Sequence, residues 1–295
     1  MSKILGRVLQ YLPGDVTDIG LRTLKRFRIR GGRHIFDHSW DVLIILDACR
    51  YDMYNKIVGR GNPVLSAAST STEWMEETFS GSYEETLANT AYISANPFSN
   101  QLDESRFGLV DHVWSDHWDT DLGTIPPEPV SDHGIAVARS GEYDRVILHY
   151  MQPHFPFIGS EQFGRLGRST FGLEGQDDGQ NVWRMVERGE IDADRAIDAY
   201  YDNLRYAYKS VETVLENVDG QVVITADHAN ALGEWNLWGH RAYVPFKAVR
   251  EVPWDVRECI DSETYESTVS EEELTDDEDR EGVAERLRSL GYVEE

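Results

Sequence analysis

The chain has 295 residues, enough for one large α/β domain or two small ones with a substantial core. Its 40% hydrophobic content and eight Trp residues exclude a disordered chain, and it holds no run of 18 apolar residues that would span a membrane. The 53 acidic and 28 basic residues give a net charge of −25, which repels nucleic acid; an acidic surface with only five Lys suits high salt, so a halophilic setting is expected.

Two cysteines, Cys49 and Cys259, do not make a disulfide framework, and Cys49 reads as a small core residue. The N-terminus lacks the apolar segment and cleavage site of a secretory signal, so a cytoplasmic location is expected. Residues 1–33 form a basic arm in which Lys3, Arg7, Arg22, Lys25, Arg26, Arg28, Arg30 and Arg33 face only Asp15 and Asp18. Ile4, Leu5, Val8, Leu9 and Leu12 recur there at helical spacing, which fits either peripheral contact with an anionic membrane surface or packing on the chain's own acidic domain.

Val42 to Leu46 is a continuous apolar run, the pattern of a central parallel strand covered on both faces, and Asp47 stands at its end. Arg50 either holds an anionic group or pairs with Asp52. Residues 63–81 read as strand, hydroxyl-rich turn and helix: Thr70, Ser71 and Thr72 crowd the turn, and one of them caps the helix. A hydroxyl at a helix N-terminus beside a cation is also how a nucleophile is activated. Residues 88–99 hold another strand, whereas 111–134 read as a solvated insert rich in His, Asp and Trp, and Asp132-His133, after Pro-rich GTIPPEPVS, as loop.

Arg145 to Tyr150 is a further strand with His154 past its end, residues 159–190 read as loop, and 191–217 as one long helix. That helix feeds Val222–Thr225, a short β-branched run followed by Asp227 and His228. The carboxyl end of a strand in an open α/β sheet is where ligands bind, and an adjacent carboxylate and imidazole make a pair of metal ligands. Gly239-His240 then brings a third polar side chain to the same end. The segment 243–256 predicts an antiparallel edge strand with prolines at its ends, 261–281 an acidic linker, and 282–295 a C-terminal amphipathic helix.

The motifs LDACRYD, PHFPF, TADHANALGE, the Gly239-His240 pair and RLRSLGY, in this order, resemble sulfatase-like members of the alkaline phosphatase superfamily. The resemblance covers nearly the whole chain from about residue 40 and places the catalytic domain at 34–260. It implies an alkaline phosphatase-like α/β fold, with a central mixed, mostly parallel sheet and helices on both faces. It implies one divalent metal ion (Mn, Mg, Ca or Zn) held by Asp47, Asp227 and His228, with a metal-bound hydroxyl as nucleophile. Counting back from Ser80-Gly81 lands on Ser71, with Thr72 the neighbouring choice. His154, His240 and Arg50 would then meet the transferred oxyanion or the leaving group.

The expected activity is hydrolysis or phosphotransfer on phosphate or sulfate esters, with small-molecule or glycan- or lipid-linked substrates; the alternative is a catalytically degenerate binding protein of the same fold. The chain departs from true sulfatases at three places. STSTEW lacks the Pro and Arg of the formylglycine motif, Asn96-Pro97-Phe98 replaces a Lys-His pair, and Asp47-Ala48 replaces an Asp-Asp pair. Asp198 and Asp202 have the spacing of a second-metal motif, but Asp202 stands where the His should be, which favours one ion.

Overall fold

A computed structural model describes residues 31–81, 83–160 and 181–269. Most of the basic arm and the C-terminal helix expected over 282–295 lie outside the described residues, as do most of the acidic linker and the middle of the 159–190 loop.

Seven strands form one mixed, mostly parallel sheet: β1 (Val42–Leu46), β2 (Asn62–Leu65), β3 (Thr90–Ser94), β4 (Leu109–Asp111), β5 (Arg145–Tyr150), β6 (Gly220–Thr225) and β9 (Glu251–Cys259). Their order is β2-β9-β6-β1-β5-β3-β4. The run from β6 to β4 is parallel throughout, and β9 pairs antiparallel with both β6 and β2. A small hairpin of β7 (Ala231–Leu232) and β8 (Trp238–Gly239) follows β6.

The central strand β1 is apolar at every position because both faces are covered. Val42, Ile44 and Leu46 of β1 join the core on one side of the sheet, and Leu43 and Ile45 the core on the other. The first side is roofed by α1 (Tyr51–Val58), α5 (Glu128–Ser140) and α7 (Ala193–Glu216), and the second by α2 (Ser71–Phe79) and α3 (Glu84–Ala88). Helix α7 places Ala196, Ala199, Tyr200, Leu204, Ala207 and Val211 inward, the expected 3.6-residue stripe. β1 lies between β5 and β6, so the carboxyl ends of these three strands open side by side.

Four expectations change. Asp132-His133 is not loop: Pro127 and Pro129 open α5, where a missing N–H costs nothing, and the dipeptide lies in its second turn. The 111–134 stretch is no solvated insert, since β4 ends at Asp111 and the helix α4 (Val113–His117) buries Trp114 completely. Within the 159–190 loop a helix, α6 (Val182–Glu187), is capped by Asn181. The last strand begins at Glu251 and is internal, with Pro253 inside it; Pro253 sits opposite Pro63 of the exposed edge strand β2, so two residues without an N–H face one another.

Residues 261–269, the start of the predicted acidic linker, lie against α5 and the end of α7. Arg139 grips Asp261 with two hydrogen bonds, at 2.7 and 2.8 Å, and Asp132 accepts from Thr268. Nearby, His133 Nδ1 lies 2.6 Å from Asp111 and its ring 5.3 Å from that of His117. Burial alone would lower the His133 pKa. The hydrogen bond and charge of Asp111 outweigh it, Asp132 and Asp116 add to them, and the net shift is upward. A raised folded-state pKa contributes stability below the unfolded value near 6.5, and that contribution is lost as pH rises through the folded value. His133→Gln is therefore expected to cost about 1–2 kcal/mol in urea unfolding near pH 5.5 and markedly less near pH 9.

Candidate active site

Each element around the opening delivers one or two polar side chains. β1 ends at Leu46, and Ala48 adopts a left-handed φ of 62°, which turns the chain sharply after Asp47. β6 ends at Thr225, and Asp227 Oδ1 accepts from Ala48 N (3.1 Å) and His228 N (2.8 Å), tying the two strand ends together. Asp47 and Asp227 are both buried.

The other Asp47 contacts come from two directions. Ser71, the first residue of α2, places Oγ 3.3 Å from Asp47 Oδ2 and 3.4 Å from His228 Nε2. Asn96 Nδ2 donates to the same Oδ2 at 2.8 Å. Thr70 is the helix cap, its side chain accepting from Glu73 N, so the hydroxyl-rich turn divides its labour. Thr72 lines a cavity of about 290 Å³ with Met75, Phe79, Phe98, Leu102 and Phe107. Of the two nucleophile candidates, Ser71 is the one in contact with the acidic cluster.

One oxygen of each carboxylate is held by protein donors. The other, Asp47 Oδ1 and Asp227 Oδ2, is buried without a hydrogen-bond partner among the described residues. Both lie 3.5 Å from His228 Nε2. His228 Nδ1 faces the Ala229 carbonyl at 3.1 Å, which puts the ring proton on Nδ1 and a lone pair on Nε2. Burial pushes the Asp47 pKa well up, and the charge of Asp227 adds to this. For Asp227 burial acts upward too, but the imidazoles of His228 and His149 outweigh it and the net shift is downward. Two buried carboxylates with orphaned oxygens converging beside an imidazole lone pair form a donor set for a divalent cation.

His149 belongs to this cluster. Asp47, His149 and Asp227 each offer a donor atom within 4.8 Å of the others, and all three are buried, so the group could hold a metal ion. His154 and His240 border the cluster: the His228 and His240 rings are 4.2 Å apart and the His154 and His240 rings 5.3 Å apart. His154 is fixed by its own N–H, which donates to Asp47 O (3.1 Å), and by Nδ1, 2.6 Å from Phe155 O. Asn203 of α7 clamps the same loop by donating to the His154 carbonyl at 2.9 Å. His240 Nδ1 faces Asn230 Oδ1 at 2.9 Å. Burial drives the His154 pKa down to about 4 and that of His240 well down, so both rings are neutral near pH 7.

Arg50 does not turn to the cluster. Its guanidinium is taken by Asp52 (2.8 and 2.6 Å), by Glu234 (2.8 Å) and by the Asn230 carbonyl (2.8 Å), the carboxylate-paired arrangement. Asp198 and Asp202 are exposed on α7, and Asp202 pairs with Arg205 instead. The sequence reading missed three contributors: His149, Asn96 and Asn230. His149 carried a signal, an imidazole inside the apolar run RVILHYM, where a polar residue is unusual unless it has a task.

No protein-family model matches the sequence, and no curated protein matches it. Solved structures do match the fold. The soluble domain of lipooligosaccharide phosphoethanolamine transferase A from Neisseria meningitidis superposes with a TM-score of 0.51 at 12% identity, over 74% of this chain and 75% of that one. The integral membrane protein lipooligosaccharide phosphoethanolamine transferase A from the same organism gives a TM-score of 0.54 at 12% identity, over 84% of this chain. This chain spans 55% of the length of that larger protein. Among the described residues no helix is long and apolar enough to cross a membrane. The sheet order, the flanking helices and these superpositions show that the chain shares the α/β fold of these phosphoethanolamine transferase structures.

Proposed function

We propose that the chain is a metal-dependent enzyme acting on phosphate or sulfate esters by nucleophilic attack of Ser71. The observation that carries this reading is the position of Ser71 Oγ. It sits at the N-terminus of α2, 3.3 Å from Asp47 and 3.4 Å from His228, at the edge of a buried acidic donor set. Asp47, Asp227 and His228 would hold the ion, which supplies charge neutralisation for the anionic ester and favours ionisation of the neighbouring hydroxyl.

The protein's own groups then do the following. The α2 dipole favours negative charge on Ser71 Oγ. Asp47 Oδ2 is the acceptor nearest its proton, and Asn96 fixes that oxygen in place. Attack forms the bond from Ser71 Oγ to phosphorus or sulfur and breaks the bond to the ester oxygen, which leaves with a proton as the alcohol. His154 and His240 are neutral until an anionic group enters; its charge then favours their protonated forms, which donate to its oxygens and to the leaving alcohol. Such donors are worth about 10²–10³ in rate each. Water or an acceptor alcohol completes the cycle, giving a hydrolase in the first case and a transferase in the second.

The named transferases act, by their names, on lipooligosaccharide with a phosphoethanolamine group. A lipid- or glycan-linked ester is accordingly the substrate class we assign first, with small-molecule esters as assay surrogates. The test is elemental analysis of protein purified in high salt, followed by assays on aryl phosphate, aryl phosphodiester and aryl sulfate. One divalent ion per chain with turnover of at least one ester is expected. A bound ion without turnover of any of them would leave the degenerate binding protein as the reading, and no ion with no turnover would remove the enzyme altogether.

A further inference from the structure

His149 has a side chain with 0% exposure, yet its Nε2 has no hydrogen-bond partner among the described residues. A buried ring nitrogen left without a partner is costly, and natural structures rarely carry one without a reason. Asp227 Oδ2 is 3.9 Å away, too far for a hydrogen bond. Asp227 Oδ2 and Asp47 Oδ1 are themselves orphaned. Three buried atoms from the ends of three adjacent strands, none with a hydrogen-bond partner among the described residues, thus lie in one cluster.

The separations from each imidazole to a carboxylate oxygen fit ligands around a common ion. Donor atoms about 2.0–2.2 Å from a metal lie about 3.0–3.6 Å apart when adjacent and up to about 4.3 Å apart when opposite. The measured values are 3.5 Å from His228 Nε2 to each orphaned carboxylate oxygen and 3.9 Å from His149 Nε2 to Asp227 Oδ2.

The far side of the ring is also built. His149 Nδ1 is 2.6 Å from the Tyr92 hydroxyl, which is buried on the next strand. A Nδ1–H donated to Tyr92 leaves the Nε2 lone pair aimed at the cluster. Ligating histidines are held in this way, by a partner on the other ring nitrogen. Trp74 packs edge-on against the ring at 5.9 Å and fixes its plane.

We infer that His149 is a direct metal ligand, so that this site offers two imidazoles, His149 and His228, beside the two carboxylates, and selects a zinc-type ion over magnesium or calcium. The inference rests on the metal-dependent reading above and deepens it by assigning a ligand and an ion class. Imidazole favours zinc and its transition-metal neighbours, whereas hard ions prefer an all-oxygen shell. Tyr92 is a positioning residue for the imidazole, not a ligand.

The test is metal binding, measured without turnover. Apo-protein is dialysed against equimolar zinc, manganese, magnesium and calcium, and its metal content is determined. Its zinc affinity is then measured by chelator competition, and cobalt-substituted protein is examined by absorption and proton NMR. The wild type is expected to retain zinc and, with cobalt, to show two exchangeable hyperfine-shifted imidazole N–H signals, one from each Nδ1–H. His149→Gln is expected to lose one of these signals, shift the cobalt absorption and bind zinc at least 10-fold more weakly. Tyr92→Phe keeps the ring and its packing, serves if the buried His149 variant fails to fold, and is expected to weaken zinc by about 10–100-fold. Unchanged zinc affinity and two N–H signals in both variants would overturn the assignment while leaving the metal-dependent reading intact. A wild type that binds none of the four ions would overturn that reading instead, and the ligand assignment with it.

Discussion

Ser71→Ala is expected to lower turnover of the preferred ester by at least about 10³-fold while leaving the bound ion and the unfolding midpoint nearly unchanged. The reasoning is local. Ser71 Oγ contributes to the cluster only through contacts of 3.3 and 3.4 Å, at the long end of hydrogen bonding, so its removal costs little structure. The α2 cap is Thr70, not Ser71, so the helix start survives the change. Thr72→Ala is the matched control. Its side chain lines the neighbouring cavity, and its loss should leave kcat within a few-fold of wild type. Steady-state assays of the two variants with metal analysis of each check the pair. Equal losses in both, or none in Ser71→Ala, would remove Ser71 as nucleophile. Trapping with a substrate labelled in the transferred group should mark Ser71 in the wild type.

Removing the ion is expected to have the second largest effect, and on stability as much as on activity. A ligand bound to the native state alone stabilises it by about 2.7 kcal/mol at 100 times its Kd and about 4.1 kcal/mol at 1,000 times. For a domain of this size that is a fall of about 5–15 °C in Tm on chelation, measurable by calorimetry at fixed salt. The structure gives the cause. Without a cation Asp47 and Asp227 lie together inside the protein, each with an oxygen that has no hydrogen-bond partner among the described residues, and Asp47 is pushed toward its neutral form. Asp227→Asn removes one charge and one anionic ligand. It should abolish turnover and the Tm response to chelator together, and in chelator the variant should be at least as stable as the wild type. A wild-type Tm indifferent to chelator would count against a resident ion.

Much of the architecture was legible in the sequence because it depends on short-range pattern. The consecutive apolar residues at 42–46, 146–148 and 222–224 face both sides of the sheet, the pattern of strands covered on both sides. Asp47, Asp227 and His228 could be placed by a topological rule, that ligands gather where parallel strands end. The hydroxyl cluster at 70–72 and the glycine at 239 were likewise visible as turn chemistry.

What only the tertiary structure decided was direction and partnership. Ser71 and Thr72 are equivalent in sequence. The 100° between successive helix positions sends one hydroxyl to Asp47 and the other to the adjoining cavity. Arg50 is three residues from Asp47, but its fork geometry is satisfied by Asp52 and, from the distant hairpin, by Glu234. The prolines at 126–129 read as loop because a proline's effect depends on whether it falls in the first turn of a helix, which α5 settles by docking on β5 and β3. His149 shows the limit most clearly. Within its strand it is one polar residue in an apolar run; its meaning comes from sharing a face of the sheet with Tyr92, and an opening with Asp47 and Asp227, whose positions lie 57, 102 and 78 residues away along the chain. Residue type and period are properties of a segment and can be read from it, whereas the partner of a buried polar atom is fixed by the register of strands far apart in sequence.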